Sequence, residues 1–175
     1  MQATLGIGLE CKNKQQIKKE IFIFQWEIEI RRKARRKKSL PEEIINRAVI
    51  EFLKLNDPKT KAEIHENLSE KYLKDAEEFM KKSDYVQASE KAWGAASQML
   101  KAEAAGRGVE LRGHSALHRF VITIARERGD EEIRRLWQSA GMLHQNFYEN
   151  WLPKEMVVEN IKDVKDFIKR LREGR

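Results

Sequence analysis

From Pro41 to Leu171 apolar residues recur at intervals of three and four, segment after segment, with short stretches between. That periodicity puts one apolar stripe on each of a series of α-helices. Ile45, Ala48, Val49 and Phe52 mark a helix from about Pro41 to Leu55, with Ser39-Leu-Pro-Glu42 as its capping box. Asp57-Pro58 breaks it, and Thr60-Lys-Ala-Glu63 is a second capping box. Ile64, Leu68, Tyr72, Ala76 and Phe79 follow, to about Lys82. Asp84 caps a helix from Tyr85 to about Ala105 whose interior is small: Ala88, Ser89, Ala92, Gly94, Ala95 and Ala96. Two further helices carry Leu117, Phe120, Val121 and Ile124, then Ile133, Leu136, Trp137, Ala140 and Leu143. Pro153 starts the last, with Val157, Ile161, Val164, Ile168 and Leu171 inward. Short connections force antiparallel neighbours. The expected fold class is all-α: an antiparallel up-down helical bundle over residues 39–175, its core in 60–172, behind a basic N-terminal extension, 1–38.

At 175 residues the chain suits one domain with a substantial core and an appendage. No run approaches the roughly eighteen apolar residues that span a bilayer, and no secretory leader is legible. Cys11 is the only cysteine, which excludes an internal disulfide framework and a cysteine-based zinc site. These features lead us to expect a soluble cytoplasmic protein. Residues 1–40 hold eleven Lys/Arg against four Asp/Glu, whereas residues 41–175 hold 24 of each. A basic arm on a neutral body points to a local electrostatic contact.

Within that arm, Phe22, Phe24, Trp26, Ile28 and Ile30 alternate with Gln25, Glu27 and Glu29, the pattern of one short strand. A lone strand is unstable in water and must pair or dock. Arg31, Arg32, Lys33, Arg35, Arg36, Lys37 and Lys38 follow and are candidate phosphate contacts. A solvated tail is the plain alternative.

Two constellations on the body could carry chemistry. His144 is in phase with the apolar stripe of its helix, and Tyr148 stands four residues on. An imidazole beside a phenol can act as a general base, or bind a phosphate or a base edge. A structural histidine hydrogen-bonded inside the bundle is the plain alternative. Arg107, Arg112, His114, His118 and Arg119 flank the connection near Gly106 to Ser115. An arginine to hold phosphate and a histidine to move a proton are what a metal-independent RNase needs. His114 and His118 have metal-like spacing, but no third ligand is evident, so neither a metal nor a cofactor is expected. Phosphate-binding glycine loops and serine-nucleophile motifs are missing.

Gln87-Ala-Ser-Glu-Lys-Ala-Trp-Gly-Ala-Ala96, Leu111-Arg-Gly-His-Ser-Ala-Leu117 and Leu143-His-Gln-Asn-Phe-Tyr-Glu-Asn-Trp-Leu-Pro153, in that order, resemble the archaeal PaREP family. The resemblance covers roughly Leu40 to Leu171. That family resembles HEPN domains, antiparallel helical bundles found as RNases in toxin–antitoxin and defence systems. The HEPN signature, an arginine, four to six residues and a histidine, would place its histidine at His144. The matching arginine position falls on Trp137, Gln138 or Ser139, none of which is basic. The resemblance therefore implies a catalytically degenerate HEPN-like binding module, a homodimer taking RNA or a cognate partner protein. Read from their charge rather than from the resemblance, the seven arm bases with Arg107, Arg112 and His114 are the candidate nucleic-acid contacts. An active metal-independent RNase using His144 and Tyr148, or His114 with Arg107, is the alternative. A third reading rests on the arm, which resembles a ribbon-helix-helix DNA-binding repressor.

Overall fold

The computed structural model describes residues 27–34, 36 and 41–174. The chain divides into two compact units, residues 1–53 and 54–175. In the first, residues 27–34 are helical and α1 spans Pro41–Phe52. Arg31 reaches Glu27 at 2.7 Å and Arg32 reaches Glu29 at 2.8 Å. Such three- and four-residue pairings are made on a helix and not along a strand. The strand expected over residues 21–30 is thus helix over its last four, and 21–26 lie outside the described residues. Arg35, Lys37, Lys38 and Ser39 lie outside them as well. The ribbon-helix-helix reading loses the strand it needs over those four positions. No residue of α1 is buried.

The second unit holds α2 (Pro58–Lys81), α3 (Tyr85–Gly106), α4 (Gly113–Arg128), α5 (Glu132–Glu149) and α6 (Lys154–Glu173). The all-α bundle is as expected. One cap differs: Asp57, not Thr60, opens α2, its carboxylate accepting the Thr60 N–H at 2.7 Å with Pro58 in the first turn. Proline needs no N–H partner there, so the helix starts at the proline rather than beyond it. Asp84 caps α3 as expected, accepting from Gln87 at 3.0 Å. Gly129 closes α4 in the left-handed conformation, φ 62°.

α3 is the centre, packing against α2, α4, α5 and α6. Ala88, Ala92, Ala95 and Ala96 are fully buried, so helices approach its backbone closely. Pairings give the directions. Lys165 meets Glu77 and Arg172 meets Glu70, so α6 opposes α2. Ser89 meets Asn146, and Trp93 meets both His144 and Trp137, so α5 opposes α3. α4 departs from the up-down rule. Its His114 lies on Trp93 and its Arg128 on Glu103, so it runs in the same sense as α3. The link 107–112 carries the chain back before α4 begins.

That arrangement gathers the C-terminal ends of α3, α4 and α6. Glu103, only 6% exposed, receives Arg107 at 2.7 Å and Arg128 at 3.0 Å. Arg128 also donates to the carbonyls of Arg170 at 3.0 Å and Leu171 at 3.4 Å, at the negative end of α6. No helix among the described residues is long and apolar enough to cross a membrane.

Candidate functional site

The site begins at Gly113, whose φ of 74° turns the chain from the extended Arg112 into α4. A side chain at that φ is strained, which suits glycine. One residue on, in the first turn, His114 projects toward α5. His144 comes from the fourth turn of α5 and meets it, Nε2 to Nε2, at 3.0 Å. Two ring nitrogens at that distance share one proton: one donates and the other accepts. Both rings are half-buried. Two candidates thirty residues apart thus become a single unit.

Trp93, which the sequence reading did not single out as a site residue, forms the wall behind the pair. Its indole stacks on His144 with centroids 4.5 Å apart and on His114 at 5.6 Å. The small Ala92, Gly94, Ala95 and Ala96 around it let the indole lie against the helix-helix seam. The sequence signal was one large aromatic set among small residues. Tyr148 stands edge-on to His144 at 5.2 Å and is about half exposed. Burial pushes the Tyr148 phenol above its ordinary value, and the Glu90 carboxylate adds to the shift.

His118 has a separate, structural task. Its Nδ1 accepts the indole N–H of buried Trp137 at 2.9 Å, so its own proton is on Nε2. The metal-like spacing of His114 and His118 therefore does not bring them together. Among the described residues no group of three or more His, Cys, Asp or Glu could hold a metal. Asn146, 1% exposed, is also structural. Its amide donates to Ser89 at 3.0 Å and its carbonyl accepts the N–H groups of Trp151 and Leu152. Those bonds fix the turn after Tyr148, where Asn150 is left-handed at φ 48°.

Arg107 and Arg112 are both engaged by carboxylates. Arg107 is bound to Glu103 and Glu127. Glu127 is thirteen residues beyond His114 on the same helix, about 20 Å along its axis. The Arg107–His114 pairing expected from spacing is therefore not formed. Arg112 is close in sequence and chelates the Glu110 carboxylate at 2.9 Å through two nitrogens. In the arm, Arg31 and Arg32 carry their acidic partners, and Lys33 and Arg36 are exposed.

No curated protein and no solved structure matches the chain. The family model for archaeal PaREP1/PaREP8 proteins does, over residues 64–168, which spans the wall of Trp93, both imidazoles and Tyr148. The chain belongs to the archaeal PaREP1/PaREP8 family.

Proposed function

We propose that the 54–175 unit is a HEPN-like module that binds single-stranded RNA without cutting it, as one member of a toxin–antitoxin or defence-like pair. The observation that carries this reading is the His114–His144 couple, 3.0 Å apart, backed by Trp93 and flanked by the half-exposed ring of Tyr148. The His114 ring can present its Nδ1 edge to a phosphate or base edge, whereas the His144 Nδ1 is buried, and a phenol face can stack on an unpaired base. The basic arm adds sequence-independent phosphate contacts. Cleavage without a metal needs a positive charge held on the phosphorane. Arg107, the expected source, is tied to two carboxylates about 20 Å from His114 along α4.

Fluorescence anisotropy with a labelled single-stranded RNA tests this. Tyr148→Ala and His144→Ala should each weaken binding by about tenfold, equivalent to about 1.4 kcal/mol. The RNA should emerge intact from overnight incubation with EDTA. Equal affinity for wild type and both variants would remove the site from RNA recognition and leave a protein partner for this face.

One observation favours the nuclease reading: a shared proton between two imidazoles is the ready form of an acid–base couple. Cutting in EDTA that disappears in both His114→Ala and His144→Ala would establish it.

A further inference from the structure

We propose that His114 and His144 chelate one divalent first-row transition-metal ion, of the Ni2+, Cu2+ or Zn2+ class, through their Nε2 atoms. The inference rests on the geometry of the pair and not on RNA binding. Two imidazole nitrogens held about 2.1 Å from one ion and about 90° apart stand about 3.0 Å from each other. The observed separation is 3.0 Å. The ring centroids are 4.8 Å apart, closer than a head-on approach of the two nitrogens would hold them. The ring lone pairs are thus inclined to the line between the nitrogens rather than lying along it. That geometry bends the N–H···N bond and suits a common ligand placed to one side.

The surroundings suit the charge. Both imidazoles are half-buried on rigid helices, one on α4 and one on α5, so little side-chain freedom remains to be given up on binding. Trp93 holds both rings by stacking and Tyr148 holds His144 edge-on. The Glu90 carboxylate, whose field reaches the Tyr148 ring that flanks His144, adds negative charge that offsets a cation. With no third protein ligand among the described residues, water completes the coordination. Imidazole is the ligand these ions accept most readily, whereas Mg2+ and Ca2+ seek oxygen.

Proton balance follows from the shared bond. In the neutral pair one ring carries its proton on Nε2. Binding requires that proton to move to Nδ1 of the same ring, so two neutral rings take the ion with no net release. A pair carrying one extra proton releases it, so affinity falls as pH falls.

The chain has four histidines, His65, His114, His118 and His144, which makes the test clean. Full-length protein without a polyhistidine tag is titrated with NiCl2, CuCl2 and ZnCl2 by calorimetry and by Trp fluorescence. We expect 1:1 binding of at least one ion, and quenching by Ni2+ or Cu2+ because Trp93 stacks on the pair. His114→Gln and His144→Gln should each weaken binding by about tenfold or more, while the double variant His65→Gln/His118→Gln should bind as wild type. On the unaltered protein, Zn2+ should move the histidine 15N signals of two rings to the Nδ1–H tautomer. Wild-type protein that leaves all four rings unchanged at millimolar Zn2+ and binds none of the three ions overturns the proposal. Binding abolished in the His65/His118 variant but kept in His114→Gln and His144→Gln overturns it equally.

Discussion

Asn146 on α5 donates its amide to the hydroxyl of Ser89 on α3 at 3.0 Å, across 57 residues of sequence. The same side chain accepts the N–H groups of Trp151 at 3.0 Å and Leu152 at 2.8 Å. One buried amide therefore ties the central helix to the turn that ends the helix bearing His144 and Tyr148.

Asn146→Ala should destabilise the protein by about 2–3 kcal/mol, because it strands two backbone donors and removes the donor to the Ser89 hydroxyl, which keeps its own bond to the Tyr85 carbonyl. The melting temperature should drop by about 5–10 °C. Ser89→Ala removes only one of these bonds and should cost about 1 kcal/mol. Thermal melts followed by circular dichroism compare the two. Equal effects would mean that the turn is held by other contacts.

Glu103→Ala should cost about 3–5 kcal/mol, since it leaves Arg128 and Arg107 without the carboxylate they share at the closed end of the bundle. Glu103→Gln keeps the shape and one acceptor, so it should cost less. The loss should change little with salt, in contrast to exposed pairs such as Lys162–Glu159. Urea denaturation at low and high salt measures this. An effect below about 1 kcal/mol would place Glu103 among the surface pairs.

Tyr148 gives the pH prediction. Its phenol is held above its ordinary value, so the folded state keeps that proton longer than the unfolded chain. The stabilising contribution is complete below the unfolded value of about 10 and is lost as pH rises through the folded value. Glu90→Gln removes the second cause and should bring the Tyr148 titration part of the way back, with burial accounting for the remainder. Tyrosinate absorbance of wild type, Glu90→Gln and Tyr148→Phe separates this phenol from Tyr72 and Tyr85. No change in Glu90→Gln would mean that burial acts alone.

Deleting residues 1–38 removes the seven bases between Arg31 and Lys38. The slope of log affinity against log salt for single-stranded RNA should shrink by about 0.7 for each phosphate that the arm had neutralised. An unchanged slope would place all phosphate binding on the body.

The helices were legible because a stripe at three- and four-residue spacing has few other uses than burial, as Leu136, Ala140 and Leu143 illustrate. Caps formed from a single acidic side chain, Asp57 and Asp84, were legible in kind, though Asp57 was passed over for Thr60. The direction of α4 was not legible: residues 107–112 are few enough to imply a reversal, yet extended they reach back along α3. Residues 27–34 misled because alternation of Glu27, Glu29 and the isoleucines also fits helical ion pairs with Arg31 and Arg32. His144 and His114 were each visible in sequence, but their meeting was not, because no periodicity links positions thirty apart. Arg107 fitted a motif spacing and was claimed instead by Glu103 and Glu127, partners that only the folded chain brings within reach.

The run of methyl-sized side chains along α3 has a further consequence. Four helices rest on that smooth spindle, so a bulkier residue at Ala92, Ala95 or Ala96 would wedge several neighbours apart at once. Beside the imidazoles, by contrast, an exchange at the half-exposed Tyr148 has solvent on one side to yield into. The scaffold thus leaves its chemistry free to be retuned while the axle beneath it tolerates almost no change.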